Sequence, residues 1–459
     1  MTTDYSSALV LADTMLASDA CRESLIAASV RVFDQSLPWM PQLCEALLVR
    51  TGGNFHHFSR HELAQLILEL ADVDGDTDRD VDKDDEDLAP RHRIAFPEVR
   101  RYCVDAPLPT PVPEWRAALD LPVLPSVGDL ARWLGEPVGA VDWFADKWRH
   151  AQPEQARLQH YHYRWMPKRS GGWRLIEIPK ERLRLVQQKI LRRILDLVPP
   201  HVAAHGFVRG RSCVTHAALH TGQRVVIRMD LKDFFPSVQH ARIQALFEKL
   251  GYSTSVAGTL ARICVNSTPS GAFLEAHVAG AVTWFDRQAL KAPHLPQGSP
   301  CSPALANLCA YRLDIRLQEL AQSMDAAYSR YADDLVFSGA RALARAAERF
   351  HIQVAAIALE EGFRVNTRKT RVMREGTRQQ ITGVVVNRHA NVGRDEYDSL
   401  KAILTNCVRH GPASQNRDGK ASFRDYLAGR ISYVMMVNPN RATRLQQLFQ
   451  AIAWPVGSH

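Results

Sequence analysis

The sequence predicts an α+β fold, in which a mainly helical amino-terminal part precedes a part that mixes strands with helices. In the first part, the pattern Ser59-Arg-His-Glu62 is a capping box, and apolar residues follow it at helical spacing. In the second part, residues 163–179 form two strand-like runs around a Ser-Gly-Gly turn. The chain has 459 residues, of which 46% are hydrophobic and 23% charged, so it is not a disordered protein.

Charge is distributed unevenly along the chain. Residues 1–150 contain 14 Lys and Arg against 26 Asp and Glu, whereas residues 151–459 contain 43 against 23. The basic part favours a polyanionic partner, most simply nucleic acid, although a basic domain without such a partner is the alternative. The eight cysteines include no Cys-x-x-Cys pair, which is typical of a protein of the reducing cytoplasm. No run of about 18 apolar residues occurs, so no membrane span is expected.

The remaining elements follow from composition and periodicity. Residues 72–87 contain ten acidic and two basic residues, and residues 107–125 contain six prolines, so both predict linkers. Periodic apolar patterns predict the elements that follow. They are helices within 126–160, a hairpin at 163–179, a helix at 182–198, a strand at 225–229, a hairpin at 326–338, a helix at 341–361, a strand at 380–387 and helices within 395–453.

Three aspartates stand where apolar strands end. Asp230 follows the strand at 225–229, and Asp333 and Asp334 lie at the tip of the hairpin at 326–338. A carboxylate at a buried strand end is costly unless it is paired or holds a cation. Three together would favour Mg²⁺, which binds carboxylates together with substrate phosphates, and two such ions can catalyse nucleotidyl transfer. For an isolated Asp-Asp pair, capping or salt-bridged aspartates at a turn are the more common interpretation.

The neighbouring sequences resemble the reverse transcriptase family over residues 161–440. Asp230 with Phe235 resembles its first palm motif, residues 295–308 its Gln-Gly motif, Tyr331-Ala-Asp-Asp334 its catalytic Y-x-D-D motif and Asn366-Thr-Arg-Lys369 its N-x-x-K motif. Four motifs in the same order form a specific signal. The resemblance implies a right-hand polymerase of fingers, palm and thumb that catalyses RNA-templated DNA synthesis with two Mg²⁺ ions held by the three aspartates.

The resemblance also implies roles for residues around the substrate. Lys168 and Arg174, on the fingers hairpin, would bind the triphosphate of a dNTP by charge neutralisation. Phe235 would exclude a 2′-hydroxyl, Gln297 would contact the incoming nucleotide or the template, and Lys369 would protonate the departing pyrophosphate. A solvent-exposed surface charge is the alternative for each cation, and a core aromatic is the alternative for Phe235.

Within the family, bacterial retron reverse transcriptases resemble this chain most. His216-Ala-Ala-Leu-His220 is similar to their N-A-x-x-H element, with His216 in place of Asn, and Ile381-Thr-Gly383 is similar to their V-T-G element. Residues 206–212 and 429–439 also resemble retron segments. The nucleic-acid-binding residues implied in this way are Arg209, Arg211, His220, Thr382, Gly383 and Arg430.

A retron-type enzyme implies definite partners. These are a structured non-coding RNA that serves as template and as 2′-hydroxyl primer, its branched DNA product, dNTPs and an effector protein in defence against phage. The resemblance further implies a division into an amino-terminal extension (1–125), fingers and connecting helices (126–225), palm with inserted fingers helices (226–390) and thumb (391–459).

Three alternatives remain open at this stage. The chain could be a group II intron-like enzyme, a bacterial defence reverse transcriptase without a retron RNA, or an RNA-binding scaffold without catalytic activity. The amino-terminal extension lies outside the resemblance. Its acidic balance favours contact with protein, or a cover over the enzyme's own surface, over direct binding of nucleic acid.

Overall fold

A computed structural model of the chain describes residues 3–71, 94, 96–97, 118–146, 156–168, 171–274 and 280–454. The predicted acidic linker at 72–87 and most of the proline-rich linker lie outside these residues. The chain forms two compact units, one of Met1–Val198 with Val238–Ser302 and one of Pro199–Ser237 with Pro303–His459. Within the described ranges, no helix is long and apolar enough to cross a membrane. The four-part division at residues 125, 225 and 390 stays a prediction.

The described helices are, in chain order, α1 (Thr3–Leu16), α2 (Arg22–Phe33), α3 (Met40–Thr51), α4 (Arg60–Ala71), α5 (Val127–Leu134), α6 (Val138–Ala145), α7 (Glu181–Arg193), α8 (Cys213–Ala218), α9 (His240–Lys249), α10 (Thr254–Cys264), α11 (Trp284–Lys291), α12 (Ser302–Cys309), α13 (Tyr311–Gln322), α14 (Arg341–Glu360), α15 (Arg394–His410), α16 (Phe423–Val437) and α17 (Pro439–Gln450). The strands are β1 (Tyr161–Pro167), β2 (Trp173–Pro179), β3 (Val225–Lys232), β4 (Ala326–Tyr331), β5 (Asp334–Gly339), β6 (Arg364–Val365), β7 (Arg371–Arg374), β8 (Gln380–Ile381) and β9 (Val384–Val385).

Helices α1 to α4 open the first unit and bury a common apolar core, as the sequence predicted. The capping box at the start of α4 is confirmed. The backbone N–H of Ser59 donates to the Glu62 carboxylate at 2.8 Å, and the N–H of Glu62 donates to Ser59 Oγ at 3.3 Å. These two bonds satisfy backbone donors that the first turn of a helix leaves without partners.

The predicted hairpin of the first unit is formed by β1 and β2. The two strands pair antiparallel, with Tyr161 opposite Pro179 at one end and Pro167 opposite Trp173 at the other. Gly171 and Gly172 in its turn have φ values of 84° and 80°, which glycine adopts without steric cost. Trp165 packs with other apolar side chains under the hairpin. One face of the hairpin is therefore packed on an apolar cluster.

The second unit is built on a sheet with the order β4-β5-β3-β6, in which β7 also pairs with β3. Strand β3 is central because it pairs with β5 on one side and with β6 and β7 on the other, and its apolar residues are buried along almost its whole length. The predicted hairpin of β4 and β5 is confirmed. The prediction of one strand at 380–387 is wrong, because a turn at Thr382 and Gly383, with φ values of 46° and 89°, separates β8 from β9. Helices α15 to α17 confirm the predicted helical carboxy-terminal part and share a core with these short strands.

Gly206 touches the turn between β4 and β5. A Cβ atom at this position would lie 2.5 Å from the backbone nitrogen of Ala332. We expect Gly206→Ala to lower the free energy of unfolding by about 1–3 kcal/mol, because backbone must move to admit the methyl group. Thermal unfolding measures the change. Gly429→Ala in α16 is the control, since a Cβ atom at that position would have no neighbour within 4 Å. Equal stability of the two variants would contradict the close approach.

Candidate active site

The second unit brings the three predicted aspartates together. Strands β3 and β5 pair antiparallel with Asp230 opposite Asp334. Asp333 lies in the turn that enters β5, and its carbonyl oxygen accepts a hydrogen bond of 2.8 Å from the N–H of Leu231. The two neighbouring strands therefore place three carboxylates at one end of the sheet, as the sequence predicted.

The turn that carries Asp333 is hydrogen-bonded to a buried cation, Arg330. Ala332 in this turn has a φ of 56°, an unfavourable left-handed conformation for a residue with a Cβ atom. The fully buried Arg330 donates to the carbonyl oxygen of Ala332 at 3.1 Å, and to Asp314 at 2.8 and 2.6 Å. Asn307 accepts a further bond from Arg330 at 2.9 Å. The sequence carries one sign of this support, since Arg330 is a charged residue within a strand whose other residues are uncharged.

Two of the three carboxylates are paired with cations of the chain. Lys369 Nζ lies 2.9 and 3.0 Å from the two oxygens of Asp230. Arg228 binds both oxygens of Asp334 at 2.8 Å through Nη2. Arg228 was missed in the sequence, although residues two apart on a strand face the same side, which places it beside Asp230.

The pKa of Asp333 is raised above its usual range. Burial raises its pKa to about 6, and the neighbouring charges of Asp334 and Asp230 add to the effect. Burial also raises the pKa of Asp334, while Arg228 lowers it. Neighbouring carboxylates with raised pKa values are the donor set whose repulsion a divalent cation relieves.

These residues fit a metal ion that takes part of its ligands from the substrate. In the part of the chain that the structure describes, no three His, Cys, Asp or Glu side chains form a closed cluster around an ion position. Mg²⁺ commonly binds one or two carboxylates and completes its shell with water and substrate phosphates. An open edge with Asp230 and Asp333 suits that type of binding.

Phe235 lies on the loop that follows β3 and is half-buried. Its ring stands 5.7 Å from that of Phe234 and 6.0 Å from that of Phe207. Phe207 is 51% exposed and has a φ of 63°. The sequence did not identify Phe207, because a lone aromatic in a loop carries no periodic signal.

His220 is not placed for direct contact with nucleic acid. The residue is fully buried, and its Nδ1 and Nε2 atoms each lie 2.7 Å from a serine hydroxyl, Ser338 on β5 and Ser329 on β4. The prediction of nucleic-acid binding is therefore wrong for this side chain, which instead joins the two strands of the β4–β5 hairpin. Arg211 is used internally as well, since its Nη1 donates to the carbonyl oxygens of Val202 and Ala204.

The other predicted nucleic-acid-binding residues reach the surface of the second unit to different extents. Arg209 is exposed, whereas Thr382 and Gly383 are partly exposed at the β8–β9 turn. Arg430 on α16 lies with its guanidinium 5.9 Å from the ring of Tyr426, and both line a cavity of about 430 Å³.

Lys168, Arg174 and Gln297 all belong to the first unit. Lys168 and Arg174 are exposed at the turn end of the β1–β2 hairpin. Gln297 is partly exposed, and its carbonyl oxygen accepts a 2.9 Å hydrogen bond from the N–H of Glu177 on β2. The fold thus brings the three predicted nucleotide-binding residues into one compact unit.

Comparison with known proteins identifies the class. A model of the family described as reverse transcriptase (RNA-dependent DNA polymerase) matches residues 166–395. The chain is 40% identical over 336 residues to the Retron Mx65 reverse transcriptase of Myxococcus xanthus. The aligned residues cover 72% of each of the two chains. It is 36% identical over 334 residues to the Retron Mx162 reverse transcriptase of Myxococcus xanthus, with 69% of this chain and 64% of the relative covered. It is 28% identical over 273 residues to the Retron Ec86 reverse transcriptase of Escherichia coli, with 59% and 74% covered.

The chain therefore belongs to the reverse transcriptase family. It is an RNA-directed DNA polymerase of the retron type. The predicted right-hand polymerase fold with a mainly helical amino-terminal extension is confirmed.

The raised pKa of Asp333 predicts that its charge destabilises the fold when no metal is bound. A carboxyl group whose pKa is raised on folding favours the folded state below its unfolded pKa and loses that contribution as pH rises through about 6. We expect Asp333→Asn to raise the free energy of unfolding by on the order of 2 kcal/mol at neutral pH in the presence of a chelator. The gain should shrink as pH falls below about 6. Thermal unfolding across this pH range measures it.

The control is Asp334→Asn, which removes the same charge but also the ion pair with Arg228. It should give no comparable gain in stability. A lower unfolding temperature for Asp333→Asn at neutral pH would show that contacts of the charged carboxylate outweigh the repulsion.

Proposed function

We propose that this polymerase copies a structured non-coding RNA into single-stranded DNA, and that it primes synthesis from a 2′-hydroxyl of the same RNA. The product is a branched RNA–DNA molecule that acts with an effector protein in defence against phage. The observation that carries the polymerase part is the carboxylate triad at the end of the β3–β5 pair. The similarity to several retron reverse transcriptases supports the retron part.

Reverse transcriptases generally depend on divalent metal ions. We propose two Mg²⁺ ions, with Asp230 and Asp333 as ligands of both and Asp334 completing the site near the primer end. Bound there, the ions would activate the primer hydroxyl and stabilise charge on the leaving pyrophosphate. Lys369 would give a proton to the departing pyrophosphate, and its ion pair with Asp230 supports this assignment.

Other side chains would contact the dNTP, the template and the nucleic-acid backbone. Lys168 and Arg174 neutralise the triphosphate, and Gln297 contacts the incoming nucleotide or the template. Arg209 and Arg430 bind backbone phosphates of the RNA and of the duplex product, while the Thr382–Gly383 turn offers backbone groups to the same ligand.

The test is sequencing of the nucleic acid that co-purifies with the protein when it is expressed with its native flanking DNA. We expect a discrete DNA that resists 5′-end labelling until the attached RNA is debranched. The variant Asp333→Asn with Asp334→Asn should lose this DNA by about three orders of magnitude or more, because the metal ligands act as one unit. The same RNA should still co-purify with it, because phosphate contacts lie elsewhere.

Asp325→Asn is the matched control, since Asp325 is exposed at the opposite end of the same hairpin and should leave the DNA unchanged. Free DNA with an ordinary 5′ end would contradict 2′-hydroxyl priming and favour a reverse transcriptase without a retron RNA. DNA that persists in the double aspartate variant would contradict the assignment of the catalytic site.

Phe235 should decide between deoxyribonucleotides and ribonucleotides. Phe235→Val removes the ring that would meet a 2′-hydroxyl, so we expect ribonucleotide incorporation relative to dNTP incorporation to rise by about tenfold or more. Single-nucleotide extension with each substrate measures the ratio. Phe235→Tyr keeps the ring and should retain the selectivity. An unchanged ratio in Phe235→Val would show that Phe235 is a packing residue.

A further inference from the structure

Strand β2 contains a charged residue that is almost completely buried. Glu177 is 1% exposed and lies three positions after Arg174 on the same strand. A carboxylate at this depth is costly unless charge and hydrogen bonds compensate it. Its contacts are therefore informative about what the hairpin is attached to.

Three side chains of the first unit converge on the carboxylate of Glu177. Its Oε1 accepts hydrogen bonds from Asn266 Nδ2 at 2.7 Å and from Thr268 Oγ1 at 2.9 Å. Its Oε2 lies 2.9 Å from Nε2 of the fully buried His294. Nδ1 of His294 lies 2.8 Å from the carbonyl oxygen of Ala292. Both ring nitrogens face acceptors when Glu177 is ionised, and this arrangement is satisfied by an imidazolium that carries a proton on each nitrogen.

The charges of the two groups support each other. Burial opposes both ionised forms, yet the imidazolium lowers the pKa of Glu177 and the carboxylate raises the pKa of His294. Breaking such a pair by removing one partner leaves an uncompensated buried charge. The pair therefore fixes β2 against the segment that contains His294.

The same segment is attached to β2 through its backbone. The N–H of Glu177 donates to the carbonyl oxygen of Gln297 at 2.9 Å. Gly298 lies so close that a Cβ atom there would be 2.5 Å from the carbonyl oxygen of Glu177. A side chain at position 298 is thus excluded, and the backbone at Gln297 and Gly298 packs directly against the backbone of β2.

Along a strand, three residues span about 10 Å, so this attachment sets the distance between Arg174 and Gln297. We propose that Glu177 and His294 are positioning residues for the incoming nucleotide, which hold the cations of the hairpin in register with Gln297. The inference rests on the proposed nucleotide-binding role of Lys168, Arg174 and Gln297. Neither residue of the pair touches the substrate itself.

The test is steady-state extension of a primed template, with the concentration of active enzyme determined by titration. For Glu177→Ala we expect the KM for dNTP to rise by about tenfold or more, while kcat per active enzyme falls by less than about threefold. Glu177→Gln should recover most of the KM, because a neutral histidine can accept a hydrogen bond from the amide. Affinity for the primed template should stay unchanged.

Asp13→Ala is the matched control, because Asp13 is a buried carboxylate that pairs with Arg60 at 2.6 Å among the amino-terminal helices. It should reduce stability and leave the KM for dNTP unchanged. A normal KM for Glu177→Ala, with only a smaller fraction of active enzyme, would show a merely structural role and overturn the proposal.

Three further variants keep the outcome clear. If Glu177→Ala does not fold, Thr268→Val removes one hydrogen bond to the carboxylate and should raise the KM by about threefold, whereas an unchanged KM would contradict the proposal. Lys168→Ala and Arg174→Ala separate the two levels of inference. If both leave the KM unchanged, the proposed nucleotide-binding role fails, and if they raise it but Glu177→Ala does not, only the positioning role fails.

Discussion

Repulsion among three carboxylates at one end of a sheet is the constraint on which the second unit depends. Asp230, Asp333 and Asp334 come together because β3 pairs with β5 and the turn between β4 and β5 carries Asp333. Arg228 and Lys369 reduce the repulsion by pairing with two of the three. The fold keeps the carboxylates in place before any cation binds, which is the preorganisation that catalysis by charge stabilisation requires.

The turn between β4 and β5 is also supported by a buried ion pair, which Arg330 forms with Asp314. Arg330 and Asp314 are completely buried, and replacing such a pair by apolar residues often costs no stability. Its value here is geometric, because the guanidinium also binds the carbonyl oxygen of Ala332 in its left-handed conformation. The side chains of Arg228 and Lys369 are partly exposed to solvent, whereas that of Arg330 is completely buried.

The sequence predicted the parts of this arrangement that are local. The capping box at Ser59 and the hairpin around Asp333 follow from residues within a few positions of each other. The ion pair of Glu177 with His294 joins residues 117 positions apart, and periodicity carries no information about such partners. The motif that contains His220 indicated the family correctly but not the burial of the side chain, which only packing between β4 and β5 decides.

His216 shows how burial changes the meaning of a departure from a family pattern. From the sequence alone, the replacement of the retron Asn by His216 would suggest a change in the recognition of the RNA. In the structure it is fully buried, with its ring 5.7 Å from the ring of Tyr331, the residue that opens the catalytic motif. Burial and the neighbouring His220 and His205 lower its pKa to about 3, so it is a neutral packing group. A change at this position therefore acts on the packing that supports the turn with Asp333.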